Sequence, residues 1–71
     1  MERVGIESSS IKSAGHDALR QELEVEFRNG VVVVYHGVSV EEWGRFMAAE
    51  SKGRHLTAEI ESIREFEYRE R

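Results

Sequence analysis

Strict alternation of apolar and polar residues marks two stretches of the chain. Residues 22–28 read ELEVEFR and residues 65–69 read EFEYR, so every second side chain in each stretch is apolar. Because successive side chains of a β-strand point to opposite faces of the sheet, this pattern is typical of a half-buried strand. We therefore predict a strand from each stretch, with Phe66 and Tyr68 on one face of the last strand.

Residues 31–36, which read VVVVYH, break the alternation. Asn29-Gly30 precedes them and predicts a β-hairpin, because both residues tolerate a positive φ. A two-residue loop and a three-residue loop with Gly30 in a bulge would place opposite faces of the next strand in the core. We favour the three-residue loop, which turns Tyr35 inward, because Tyr35 carries more apolar area than His36. In either register, at least two valines share the outer face with glutamates of the preceding strand.

The segment after this strand carries the signals of a helix start. Residues 39–42, SVEE, match a capping box, and Val38 and Trp43 stand where the apolar pair of a hydrophobic staple belongs. We expect this helix to end at Gly53, a residue suited to the left-handed position after a helix. Gly44 lies inside it at a cost of about 1 kcal/mol relative to alanine. We attribute Gly44 to a close approach between the helix and the sheet.

Two further elements complete the predicted fold. Thr57 resembles the cap of a short second helix, anchored by Leu56 and Ile60. Residues 8–17, SSSIKSAGHD, indicate a short first strand that ends in a turn at Asp17, whose side chain can bond the backbone downstream. The predicted order is β-β-β-α-α-β. This is an α+β domain with helices on one face of a small antiparallel sheet.

Length and composition limit the class of protein. The 71 residues allow a single domain, 1–71, with a thin core. The absence of cysteine excludes disulfides and thiolate metal sites and favours a reducing compartment. No apolar run approaches the about 20 residues that a membrane helix needs, and the polar start does not resemble a secretory signal. We therefore expect a cytoplasmic protein that does not contact a membrane.

The usual residues of catalysis and metal binding do not occur in recognisable patterns. His16, His36 and His55 have no metal-site spacing, and neither a G-x-S-x-G elbow nor a phosphate-cradling G-x-x-x-x-G-K loop is present. We expect no enzymatic activity, no metal and no cofactor. The net charge is −4, and the sequence has no stripe of basic residues of the kind that binds nucleic acid.

The order of these short patterns resembles the KTSC domain, a small module at the C terminus of some lysyl-tRNA synthetases that also occurs alone in bacteria and phages. The similarity covers about residues 8–69. Its motifs read Ser8-Ser9-Ser10-Ile11, Gly15-His16-Asp17, Val33-Val34-Tyr35 and Ser51-Lys52-Gly53. The third motif departs from the family pattern Y-x-Y, because its first aromatic residue is Val33 here.

The resemblance implies a non-catalytic binding module that contacts RNA or a complex that handles nucleic acids. Aromatic residues on an exposed sheet face stack on bases, which makes Tyr35 and the neighbouring Val33 position candidates. Lys52 and Arg54 form a small basic cluster that suits phosphate. These four residues are the candidate contacts of the first hypothesis.

A second hypothesis is an acidic phage-type inhibitor, similar to proteins that block CRISPR effectors, which docks on a nucleic-acid-binding host complex. Its contact face would be the valine stripe bordered by Glu22, Glu24 and Glu26, since acidic residues suit a basic partner. A homodimer through the same sheet face is the third possibility. The residues alone leave an RNA partner and a protein partner both open.

Overall fold

Neighbouring strands of the sheet are antiparallel and consecutive in sequence, giving the order β1-β2-β3-β4-β5. The structure is a computed structural model that describes residues 2–70. The elements are β1 (Val4–Gly5), β2 (Ile11–Asp17), β3 (Glu22–Phe27), β4 (Val32–His36), α1 (Val40–Ala48), α2 (Lys52–His55), a π-helical segment (Leu56–Glu61) that continues α2, and β5 (Phe66–Glu70).

The α+β class and the antiparallel sheet are as predicted, but four strands rather than three precede the helices. The additional strand is β1, whose two residues pair with Ser13 and Ala14 of β2. A strand of two residues is too short to show alternation, so the pattern could not indicate it. Among the described residues, no helix is long and apolar enough to cross a membrane.

The hairpin between β3 and β4 has the three-residue loop that we favoured. The Phe27 N–H donates to the Val31 carbonyl at 2.8 Å, and the Gly30 N–H donates to the Phe27 carbonyl at 3.0 Å. Gly30 has a φ of 91°, the left-handed conformation that this bulge requires. The register therefore places Tyr35 opposite Leu23 and on the inner face of the sheet.

The core lies between this inner face and the helices. It consists of the buried residues Ile6, Ile11, Ala14, Leu23, Val25, Val33, Tyr35, Val38, Phe46, Leu56 and Ile60. Phe66 and Tyr68 of β5 lie opposite Tyr35 and Val33, as expected for one face, but they remain 42% and 66% exposed. The helices thus cover the middle of the sheet and leave its β5 edge open.

The outer face of the sheet carries Val32 and Val34, and both are buried, at 3% and 0% exposure. The residues opposite Val34 are Glu24 on β3 and Glu67 on β5. Arg3 reaches Glu24 at 3.0 Å from one side, and Arg69 reaches it at 3.8 Å from the other. Because the aliphatic stems of long charged side chains can lie over apolar surface, this outer charged layer shields the valines from water.

Helix α1 begins with the predicted capping box. The Glu42 N–H donates to Ser39 Oγ at 3.2 Å, and the Ser39 N–H donates to Glu42 Oε1 at 3.3 Å. The helix ends earlier than predicted, at Ala48, because Ala49 has an extended backbone with ψ of 139°. Lys52 Nζ donates to the Ala49 carbonyl at 3.1 Å, so it satisfies an acceptor just beyond the helix.

The second helix differs from its prediction in where it begins. It starts at Lys52, so Gly53 lies within its first turn rather than after α1, and Thr57 lies in the helix rather than capping it. Leu56 and Ile60 are buried, as predicted. The pattern misplaced this start because Ser51-Lys52-Gly53 resembles a helix end, with Gly53 suited to the position after a helix.

The explanation given above for Gly44 is wrong, because a Cβ added there would meet nothing within 4 Å. The close approach occurs instead at Gly15, where an added Cβ would collide with the carbonyl oxygen of Glu2. Gly15 therefore lets the N-terminal segment lie directly on β2. Gly44 has no packing role in the described structure.

Gly44→Ala should stabilise the fold by about 1 kcal/mol, because alanine restricts the unfolded chain and fits an exposed helix interior. For a domain of this size we expect the Tm to rise by about 4–8 °C in thermal unfolding followed by circular dichroism. Gly15→Ala is the matched control and should lower the Tm, since its new methyl group meets the backbone. A Gly44→Ala variant that melts at or below the parent temperature would contradict this account.

An ion pair fixes the start of α1 against the segment that follows the π-helical turn. Arg64 Nη2 donates to Glu42 Oε1 at 2.6 Å, and Arg64 Nε donates to Glu42 Oε2 at 3.3 Å. Burial alone would raise the pKa of Glu42. The hydrogen bonds from Arg64 and from the Ser39 N–H outweigh it, and the pKa is lowered.

Because the folded chain holds the Glu42 pKa below its ordinary value of 4.5, this group stabilises the fold above that pH. The contribution is lost as the pH falls through the lower, folded value. Glu42→Gln keeps a capping-box residue but removes the charge, so its Tm should fall less steeply between about pH 5 and about pH 3 than that of the parent. Glu41→Gln, an exposed neighbour outside the ion pair, should keep the parent's pH dependence.

Candidate ligand-binding cleft

Two segments far apart in the sequence form the walls of one open cleft of about 880 Å³. The first is the loop before β2, residues 8–10, and the second is the start of the second helix. Five hydroxyl-bearing residues and one arginine contribute to the lining, which consists of Ser8, Ser9, Ser10, Ser51, Gly53, Arg54, Thr57 and Ala58. Both segments belong to motifs on which the family resemblance rests.

The serine loop is held in place by its own side chains and by Arg28. Ser8 Oγ accepts the N–H groups of Ser10 and Ile11, each at 3.2 Å. Arg28 Nε donates to the Ser8 carbonyl at 2.7 Å, and the Arg28 N–H donates to the Ser10 carbonyl at 2.9 Å. The loop is therefore fixed from below, while the side chains of Ser9 and Ser10 stay exposed.

The opposite wall approaches this loop closely at Gly53. A Cβ added to Gly53 would lie 2.9 Å from Ser10 Oγ, so the absence of a side chain lets the helix pass beside the loop. Thr57 Oγ1 donates to the Gly53 carbonyl at 3.2 Å, and Thr57 lines the same wall. The glycine thus brings the two polar segments together, a different role from the one predicted for it.

The electrostatics of the cleft differ from those of the whole chain, because no carboxylate lines it. Four described cations are paired with carboxylates, and these are Arg3, Lys12, Arg64 and Arg69. Within residues 2–70, the other five cations make no ion pair, and three of them, Arg28, Lys52 and Arg54, stand in or beside the cleft, whereas Arg20 and Arg45 lie elsewhere. The region is therefore locally basic, although the chain carries a net charge of −4.

The predicted site residues fall into three places. Arg54 lines the cleft, and Lys52 stands between two lining residues with its ammonium group on the Ala49 carbonyl. Glu22, Glu24 and Glu26 lie on the outer face, where each has a basic side chain within ion-pair distance. The structure thus separates the basic candidates from the acidic ones.

Val33 and Tyr35 are core residues, at 3% and 1% exposure, and their assignment to a binding surface is corrected here. Both point to the inner face, beneath the helices, because the three-residue loop sets the register of β4. The Tyr35 hydroxyl donates to Glu61 Oε1 at 2.9 Å, which gives the one polar atom of this side chain a partner. Neither residue can stack on a base in this arrangement.

The histidines have structural surroundings. His16 stacks on Trp43 with ring centroids 5.6 Å apart, and its Nε2 lies 2.7 Å from the Val38 carbonyl. His36 lies between Glu22 and Glu67 on the outer face. Among residues 2–70, no group of three or more histidine, aspartate or glutamate side chains is arranged to hold a metal ion.

The hydroxyl groups of the cleft carry no signal in the sequence that would mark them as a site. The serine runs are motifs without an assigned role, because spacing along the chain does not show that residues 8–10 meet Ser51. The helix that starts at Lys52 brings these segments together, and the sequence pattern placed its cap at Thr57, six residues after the observed cap, Ser51. Predicting the cleft would have required placing the N-terminus of the second helix correctly.

The architecture is that of a small α+β domain whose helices cover one face of a five-stranded antiparallel sheet and whose serine-containing segments line an open surface cleft. A sequence profile of the KTSC domain matches residues 7–69, and the chain belongs to this family.

Two relatives support the assignment. An uncharacterised protein of Stutzerimonas stutzeri strain A1501 is 44% identical over 56 residues, which is 79% of each chain. The crystal structure of a KTSC domain protein from Yersinia pestis matches with a TM-score of 0.87 and 34% identity, covering 93% of each chain. The fold is thus that of an experimentally determined member of the family.

The core role of Tyr35 can be tested with two substitutions. Tyr35→Phe removes only the bond to Glu61 and should cost about 1 kcal/mol, whereas Tyr35→Ala should cost about 3–5 kcal/mol by leaving a cavity. Urea unfolding followed by tryptophan fluorescence measures both free energies of unfolding. Similar small costs for both variants would contradict a core role.

Burial first, and then the bond to Glu61, raises the pKa of the Tyr35 hydroxyl far above its ordinary value of 10.0. Above that pH the unfolded chain ionises Tyr35 and the folded chain does not, so the parent should lose stability as the pH rises. Tyr35→Phe should lose less stability than the parent over the same rise in pH.

Proposed function

We propose that this protein is a non-catalytic binding module that contacts RNA through the cleft between residues 8–10 and the start of the second helix. The observation that carries the proposal is the meeting of two family motifs around Arg54, a cation that makes no ion pair in the described structure. Phosphate oxygens are acceptors, and guanidinium, hydroxyl and backbone N–H groups are the donors that proteins most often direct at them.

The lining fits a phosphate group better than a base. Ser9, Ser10 and Ser51 offer exposed hydroxyl groups, and Arg54 offers a planar pair of donors on the same cleft. No aromatic side chain lines the cleft, so base stacking has no partner there. Binding through this cleft should therefore be tolerant of sequence and sensitive to salt.

The surface that the acidic-inhibitor hypothesis requires is not accessible in this fold. The hypothesis requires an accessible valine stripe, but Val32 and Val34 are buried under the outer charged layer. Two of the bordering acids, Glu24 and Glu26, already pair with Arg3, Lys12 or Arg69, so their charges are partly neutralised as a docking surface, and Glu22 lies 3.4 Å from His36 Nδ1. No feature of residues 2–70 favours this function over RNA binding.

The proposal is tested by titrating fluorescently labelled single-stranded RNA with the protein and following fluorescence anisotropy. We expect binding at about 20 mM salt that weakens strongly at about 200 mM salt, because phosphate contacts release counterions. Arg54→Glu should weaken binding at low salt by at least about tenfold, since a charge-assisted hydrogen bond is replaced by repulsion. Absence of binding at low salt would overturn the proposal.

Arg20→Glu is the matched control for this experiment. Arg20 is an exposed arginine without an ion pair among the described residues, and it lies in the turn between β2 and β3. The substitution changes the net charge by the same amount as Arg54→Glu. If both variants lost the same affinity, RNA would be responding to overall charge and not to the cleft.

A further inference from the structure

The outer edge of β5 is unpaired in the described structure, because β5 is the last strand of the sheet and pairs only with β4. The His36 N–H donates to the Glu65 carbonyl at 2.8 Å, so the backbone groups of residue 65 face β4. Backbone groups of successive residues in a strand face opposite edges, so those of Phe66 and Tyr68 face the free edge. They can pair with another strand.

Apolar surface accompanies this edge on the inner face of the sheet. Phe66 and Tyr68 are 42% and 66% exposed, and Ile63, just before the strand, is 66% exposed. The Phe66 ring lies 5.5 Å from the ring of Tyr35 and 6.1 Å from that of Tyr68, so packing fixes its position. A large, ordered and exposed aromatic pair beside an unpaired edge is typical of an interaction surface.

Two copies of β5 can pair so that opposite charges face each other, but only in one register. With Tyr68 opposite Tyr68, an antiparallel pair places Glu67 of each copy opposite Arg69 of the other, on the outer face. Glu67 and Arg69 are 59% and 48% exposed, so both can make such contacts while keeping their neighbours in their own chain. Moving the centre of symmetry by one residue would place Glu67 opposite Glu67 or Arg69 opposite Arg69, which is repulsive.

We propose that the free edge of β5 is a self-association surface, on which a second copy of this chain pairs antiparallel with Tyr68 opposite Tyr68. The pairing continues the sheet across the two copies and brings the two Phe66–Tyr68 clusters together on the inner face. It differs from the valine-face homodimer considered from the sequence, because Val32 and Val34 take no part. It is also independent of the cleft, with which it shares no residue.

The geometry also limits how strong the association is. Val33 pairs with Tyr68 and Val32 pairs with Glu70, so Arg69 is the extra residue of a bulge and the regular part of β5 ends at Tyr68. An interface of this size is small, and small interfaces form weak complexes. The dimer is therefore expected to dissociate on dilution.

The first test measures mass by light scattering or sedimentation from about 10 µM to about 1 mM, a range suited to weak complexes. The parent should shift from monomer towards dimer across this range. Glu67→Arg and Arg69→Glu should each weaken the dimer at least about tenfold, because each creates two like-charged pairs per dimer. The double swap should associate more tightly than either single variant.

Glu7→Arg, a charge reversal at an exposed residue away from β5, is the matched control and should leave the dissociation constant unchanged. Circular dichroism of each variant confirms that it is folded. A parent that stays monomeric to the highest concentration, or a double swap no tighter than the single variants, would overturn the proposal.

The second test uses the absence of cysteine from the chain. In a hydrogen-bonded antiparallel pair, opposite Cα atoms lie about 5.5 Å apart, within the about 4.4–6.8 Å that a disulfide spans. Tyr68→Cys should therefore form a disulfide-linked dimer under mild oxidation much faster than Leu19→Cys, a variant at a residue that is 98% exposed. Equal rates for the two variants would contradict the register centred on Tyr68.

Discussion

The bond from the Phe27 N–H to the Val31 carbonyl closes the loop on which the rest of this fold depends. Since the loop has three residues, Tyr35 and Val33 face the helices and the core. A loop shorter by one residue would turn both outward and bury His36 in their place. Gly30, with its φ of 91°, makes the longer loop possible. One backbone conformation thus decides which side of β4 belongs to the core.

The register also explains why β4 lacks alternation. Its inner face is buried by the helices, and its outer face is buried by charged side chains from β3, β5 and the N-terminal segment. Arg3 and Arg69 both contact the Glu24 carboxylate. Val34 of β4 lies opposite Glu24 and has no exposed surface. A strand that is buried on both faces is expected to be apolar throughout. The run of valines therefore reflects a charged cover rather than an unoccupied binding face.

The elements with strong local signals could be predicted from the sequence, namely β3, β4, the capping box of α1 and the alternating β5. The class of fold followed from them. The second helix was misplaced because Gly53 resembles a helix end and Thr57 resembles a helix cap. The cleft could not be predicted, since it depends on where that helix passes relative to Ser10. Lys52 and Arg54 were found by charge alone, whereas Val33 and Tyr35 were misassigned by analogy with exposed aromatic residues.

The position of the family's Y-x-Y pattern takes on a physical meaning in this fold. Two residues separated by one lie on the same face of a strand, and here that face is the inner one. Val33 and Tyr35 pack against Val25 and Leu23 of β3, so an aromatic residue at either position contributes to the core. The exposed aromatic pair of this chain stands instead on the neighbouring strand, at Phe66 and Tyr68.

Net charge is a poor guide to function in this protein, because the fold distributes the charges unevenly. Glu24 and Glu26 of β3 are matched by Arg3, Lys12 and Arg69, while Arg28, Lys52 and Arg54, three of the five described cations without an ion pair, lie in or beside the cleft. If β5 pairs with a second copy, the dimer carries two such clefts. An RNA that reached both would bind more tightly than one that reached a single cleft, because the second contact becomes intramolecular. Weak self-association and weak phosphate binding would then reinforce each other without any new contact.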